Sequence, residues 1–103
     1  MSTFSHLSVT EASELLQQPG TTVVDIRDEM SFQQGHIDNA QRIDNGSVGA
    51  FLATADKSAP LIVCCYHGVS SQNAAQFFAE QGFAAVYSLD GGFEAWRSAF
   101  PGA

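Results

Sequence analysis

The chain has 103 residues, enough for one domain and too few for two ordinary ones. Hydrophobic residues make up 45 % and charged residues 15 %, a balance that supports a packed core and excludes disorder. Eleven acids against only Arg27, Arg42, Lys57 and Arg97 leave a formal charge of −7. That excludes a surface for nucleic acid or anionic lipid, because both are bound through clustered Lys and Arg.

Residues 1–103 are read as a single domain with no repeat or linker. The first twenty residues have neither a basic start nor a continuous apolar run, so no secretory signal is expected. No window approaches the roughly 18 apolar residues of a membrane span. A cytoplasmic location is expected. Ser8 and Glu11 form a capping box, and Ala12, Leu15 and Leu16 follow at helical spacing until Pro19-Gly20. Residues 21–26, Thr-Thr-Val-Val-Asp-Ile, are β-branched and short, and predict a strand. Residues 46–55 predict a helix around Val48, Phe51 and Leu52. Residues 61–65, Leu-Ile-Val-Cys-Cys, predict a second strand.

Residues 71–81 predict a helix with Ala74, Ala75, Phe77 and Phe78 on its apolar face and Gly82 at its end. Residues 84–89 predict a third strand, closed by the turn Asp90-Gly91-Gly92. Phe93, Trp96 and Phe100 have the spacing of a last helix, and the stripe Phe77, Phe78, Phe93 and Trp96 is expected in the core. The strand runs are apolar without alternation, as in strands buried on both faces of a parallel sheet. The order predicts an α/β fold: a three-layer α/β/α domain with a mainly parallel central sheet and helices on both faces.

The chemistry is expected in Cys65-Tyr66-His67-Gly68-Val69-Ser70-Ser71. This stretch follows a buried strand and precedes a helix, the edge where open α/β sheets bind ligands. A helix start presents free N–H groups and partial positive charge, which favour an anion. The same field favours a thiolate over a thiol. Gly68 permits a tight curl that turns successive N–H groups inward as a nest. The only cysteines, Cys64 and Cys65, are adjacent and cannot staple distant parts of the fold, which agrees with a reducing compartment. Strand side chains alternate faces. Cys64 is therefore expected to be buried and inert, and Cys65 to open the loop as a nucleophile.

Cys-Tyr-His-Gly-x-Ser-Ser resembles the active-site loop of the rhodaneses, the thiosulfate sulfurtransferases, and is most similar to their small single-domain form. Three further segments resemble family signatures in the same order. They are Val24-Asp25-Ile26-Arg27, then Phe32-x-x-Gly35-His36-Ile37-x-x-Ala40, then Leu89-x-Gly91-Gly92-Phe93-x-Ala95-Trp96. The resemblance spans residues 8–97.

The resemblance implies a sulfur carrier at Cys65 and an anion site in the backbone of Tyr66, His67, Gly68, Val69, Ser70 and Ser71. It implies thiosulfate as donor, and cyanide or a dithiol such as thioredoxin as acceptor. No metal and no organic cofactor are implied. Phosphatases on the same fold carry a Cys-x5-Arg loop, but here that position is Ser71 and the loop has no Arg or Lys. The mercaptopyruvate-type loop, Cys-Gly-Ser-Gly-x-Thr, differs at Tyr66-His67. Related domains that lack the cysteine act as binding modules, whereas this chain keeps Cys65. Many rhodaneses carry Arg or Lys beside the cysteine; here His67 is the only cationic side chain in reach, which predicts weak thiosulfate binding. His36, Asp25 and Arg27 are expected to be structural.

Overall fold

The computed structural model describes residues 3–101. In chain order its elements are β1 (Ser5–Leu7), α1 (Val9–Leu16), β2 (Thr22–Asp25), α2 (Glu29–Gln34) and β3 (Gln41–Arg42). Then come α3 (Val48–Thr54), β4 (Leu61–Cys64), α4 (Ser70–Glu80), β5 (Val86–Leu89) and α5 (Gly92–Ala99). The five strands form one sheet in the order β1-β5-β4-β2-β3, and every pairing is parallel.

β4 lies at the centre, and all four of its residues are buried. The pleat explains its unbroken apolar run. Leu61 and Val63 enter one hydrophobic cluster with Phe51, Ala75, Phe78 and Phe83, under α3 and α4. Ile62 and Cys64 enter the other with Ala12, Ile37 and Trp96, under α1 and α5. β2 repeats the division, with Val24 on the first side and Val23 on the second. Two helical layers therefore enclose one parallel sheet, the three-layer architecture expected from the strand–helix alternation.

Local signals hold where they are strong. Glu11 N–H donates to Ser8 Oγ and Ser8 N–H to Glu11 Oε1, which completes the capping box of α1. α4 ends in Gly82, where Gly82 N–H reaches the Ala79 carbonyl and Phe83 N–H the Phe78 carbonyl. Other features leave weaker marks. β1 and β3 have three and two residues and sit at the sheet edges. Both are too short for their residues to register as a period, so the sequence does not mark them. The same holds for α2, which is six residues long and has no buried residue.

One core assignment is corrected. Phe77 does not belong to the buried stripe; it is 40 % exposed, while Ala75, Phe78 and Ala79 form the buried face of α4. Phe77 and Phe78 are adjacent on a helix, so their side chains diverge by about 100° and cannot share one narrow face. Phe93 is half-buried: it packs against the second cluster, as expected, and its ring also meets the Arg27 guanidinium. No helix among the described residues is long and apolar enough to cross a membrane.

Candidate active site

Cys65 follows β4 directly, and α4 begins five residues later. The intervening loop curls back so that Gly68 N–H and Ser71 N–H both donate to Cys65 Sγ, each at 3.2 Å. Ser71 is the second residue of α4, so its N–H has no partner within the helix. The preceding Val69 has no side chain that could cap it. The sulfur takes the place of a capping oxygen.

Gly68 makes the curl possible. Its φ is +86°, and a Cβ there would lie 2.7 Å from Gly91 N and 3.0 Å from the Leu89 carbonyl. Gln72 Nε2 donates to the Gly68 carbonyl at 2.8 Å, a side-chain brace from the first turn of α4.

The other side of the loop is held by α5. Phe93 N–H donates to the Cys65 carbonyl at 2.8 Å, and Glu94 N–H donates to the Tyr66 carbonyl at 3.2 Å. Two free N–H groups of one helix start thus draw the first two loop carbonyls toward themselves. Gly92 must be glycine for this approach: a Cβ there would lie 2.5 Å from the Cys65 carbonyl oxygen. The Gly91-Gly92 turn is therefore part of the loop's support as well as the end of a strand. In the sequence the pair marks a strand end and lies within a family signature, and two consecutive glycines before an apolar helix are the sign of this close approach.

The thiols differ in environment. Burial, and then the Asp25 carboxylate, push the Cys64 thiol far above its ordinary value. Cys64 Sγ donates to the Cys65 carbonyl at 3.5 Å and otherwise packs within the second hydrophobic cluster. At Cys65, burial also pushes upward. Hydrogen bonds from the Ser71 hydroxyl and N–H, then from the Gly68 and His67 N–H groups, outweigh it and hold the thiol below its ordinary value. The Cys65 residue is only 2 % exposed, so its sulfur lies at the floor of the loop. Ser71 is wholly buried, and its hydroxyl pairs with Ser88 Oγ at 2.7 Å.

The remaining loop residues face outward. Tyr66, His67, Val69 and Ser70 are exposed. The Tyr66 hydroxyl donates to Asp28 Oδ1, which ties the loop to the N-cap of α2. His67 lies beside the Tyr66 ring, with centroids 6.5 Å apart. Arg27 supplies no free charge to the loop. Its guanidinium grips Asp25 through Nε at 2.9 Å and Nη2 at 2.7 Å, and both residues are buried. It also donates to the Gly35 carbonyl and stacks on Phe93, 4.3 Å from the ring centroid. His36 Nδ1 donates to the Phe32 carbonyl and its ring stacks on Phe32. Asp25 and Arg27 thus form a buried platform beside Phe93 and Tyr66, and His36 is held against Phe32.

A profile of the rhodanese-like domain matches residues 8–99. The chain belongs to the rhodanese family. Among relatives of this rhodanese is the thiosulfate sulfurtransferase GlpE of Pseudomonas aeruginosa (strain LESB58), 56 % identical over 99 residues that cover 96 % of this chain and 89 % of that protein. The protein of the same name from Shewanella oneidensis is 52 % identical over 96 % of this chain and 98 % of its own length. The crystal structure of a rhodanese-related protein from Thermoplasma volcanium superposes with a TM-score of 0.79 at 22 % identity, covering 94 % of each chain. At that identity the likeness is one of fold, and the fold is that of the rhodanese domain.

Proposed function

We propose that this rhodanese is a thiosulfate sulfurtransferase that carries sulfur as a persulfide on Cys65. The observation that carries the reading is the pair of inward N–H groups, Gly68 and Ser71, on a sulfur whose thiol is held below its ordinary value. Two relatives that share 56 % and 52 % identity with it bear the same activity in their names.

The Cys65 thiolate attacks the outer sulfur of thiosulfate. The new S–S bond forms as the old one breaks, and sulfite leaves with the bonding pair. One negative charge then rests on the persulfide and two on sulfite. The backbone of Tyr66, His67, Gly68, Val69, Ser70 and Ser71 is the anion site in this scheme. Fixed N–H dipoles suit charge that moves along a sulfur chain, because they need little reorganisation. The α5 contacts to the Cys65 and Tyr66 carbonyls favour this peptide orientation.

In the second step a thiophilic acceptor, cyanide or a dithiol such as thioredoxin, attacks the outer sulfur and Cys65 leaves as thiolate. Both steps exchange one sulfur–sulfur bond for another bond to sulfur, so the scheme uses no cofactor and no metal. A phosphatase would need a guanidinium on the anion, and the corresponding Ser71 is instead buried against Ser88.

Intact-mass measurement tests the reading. Incubation with thiosulfate is expected to add one sulfur atom to the chain, and cyanide to remove it as thiocyanate. A mass unchanged by thiosulfate would overturn it.

A further inference from the structure

The residues around the buried Cys65 sulfur are those a protein partner would touch. Among the described residues, the exposed large hydrophobic side chains are Met30 at 69 %, Tyr66 at 43 %, Val69 at 73 % and Phe77 at 40 %. Tyr66 and Val69 belong to the reactive loop. Met30 lies in the first turn of α2, two residues beyond the N-cap Asp28, whose carboxylate holds the Tyr66 hydroxyl. Val69, Asn73 and Phe77 are four residues apart and share one face of α4. That face leads from the loop to an apolar groove of about 430 Å³, lined by Ile26, Ile43, Val48, Ala74 and Phe77. Ile26 and Ile43 each directly follow a strand or its edge pairing, so the groove opens on the same sheet edge as Cys65. An apolar surface that is continuous with a reactive site marks an interaction surface.

Charge selects among occupants. Arg27, Arg42 and Arg97 are already paired with Asp25, Asp44 and Glu94. Lys57 sits at the opposite edge, its carbonyl bonded to Ala84 N–H before β5 begins. Exposed Asp28 and Glu29 remain beside the loop. The unpaired side-chain charge beside the loop is therefore negative, as is the net charge of the whole chain at −7. A second copy of this chain would bring the same charge. A partner with basic residues around an apolar contact is complementary.

Resting on the persulfide reading above, we propose that the loop, the Val69–Phe77 face and the adjoining groove dock a thiol protein. Its cysteine is flanked by apolar residues within a positively charged rim. The partner's thiol descends to the Cys65 persulfide anion, passes its own proton to the outer sulfur, attacks that sulfur as thiolate, and leaves with the sulfur and the proton as a new persulfide. The S–S bond to Cys65 breaks and Cys65 departs as thiolate. Atoms and charge balance without an added oxidant or reductant.

The test uses the full chain loaded with thiosulfate and three probes: dithiothreitol and the peptides Arg-Leu-Cys-Leu-Arg and Glu-Leu-Cys-Leu-Glu. The basic peptide is expected to take sulfur about tenfold faster than the acidic one at low salt, with the gap closing as salt rises. Phe77→Gln and, separately, Met30→Gln are expected to slow the basic peptide several-fold and leave dithiothreitol unchanged. Met30 is so exposed that its variant serves even if Phe77→Gln misfolds. Equal rates for the two peptides, or variants that slow dithiothreitol equally, would overturn the docking surface. So would a stable dimer that buries Phe77, seen by sedimentation. A chain that loads sulfur and yields it to cyanide, yet ignores peptide charge, sinks this inference alone; a chain that never loads sulfur sinks the persulfide reading beneath it.

Discussion

The main-chain N–H of Phe93 donates to the carbonyl of Cys65 at 2.8 Å, so the start of the last helix holds the first peptide of the reactive loop. With Cys65 O turned toward α5, the following N–H groups are free to face the sulfur. The geometry of the sulfur site is thus set by an element that contributes no side chain to it.

Gly92 is where this support is most easily broken. A Cβ at that position meets the Cys65 carbonyl at 2.5 Å and the Tyr66 carbonyl carbon and oxygen at 2.6 Å, all of them backbone atoms that cannot rotate away. Gly92→Ala is expected to cost about 1–3 kcal/mol of stability and to reduce sulfur loading at least about tenfold. Urea denaturation and the thiosulfate mass assay measure the two effects. Unchanged loading would show that the α5 contacts do not set the loop.

The two cysteines should separate cleanly under mutation. Cys65→Ser is expected to abolish sulfur loading with the fold intact. Cys64→Ala is expected to keep most activity while losing about 1 kcal/mol, since it removes one buried sulfur from the core. Mass spectrometry after thiosulfate, with thermal melts, decides. Equal loss of loading from both variants would show that the proposed roles are misassigned.

The pH dependence follows from the lowered Cys65 thiol. Alkylation by iodoacetamide tracks the thiolate, so its rate is expected to fall only at pH values below those of a free cysteine, about 8.5. A group whose folded value is lowered adds stability above its unfolded value and loses it as pH falls through the folded one. Cys65 therefore favours the folded state most at alkaline pH. Ser71→Ala removes a hydroxyl hydrogen bond to the sulfur and should move the alkylation midpoint to higher pH. An unmoved midpoint would leave the backbone N–H groups as the sole cause.

Asp25 and Arg27 test the platform. Both are buried, and the guanidinium is bidentate on the carboxylate. Asp25→Ala leaves a buried cation without its partner and is expected to cost about 3–5 kcal/mol. A chemical denaturation curve measures this. A loss below about 1 kcal/mol would mean that water or another acceptor replaces the carboxylate.

Thiosulfate binding should be weak and helped by salt. The dianion meets a chain of charge −7 and a loop without Arg or Lys. KM in the millimolar class is expected, and kcat/KM should rise as salt screens the long-range repulsion. Micromolar affinity at physiological salt, or a fall in kcat/KM with salt, would point to a cationic side chain at the anion.

Much of this was legible without coordinates. The capping box at Ser8, the runs that became β2, β4 and β5, and the glycine that ends α4 are signals carried by residues within a few positions of one another. The cysteine-led loop could be placed between strand and helix for the same reason, and family signatures reinforced it. Tertiary structure decided what depends on contacts across the chain. It put Phe93 and Glu94 N–H on the loop carbonyls, buried Ser71 against Ser88, sank the Cys65 sulfur to the loop floor and left Phe77 in solvent. Periodicity records which residues can share a face of one element. It does not record which helix start meets which carbonyl, because that choice is made by the packing of whole layers.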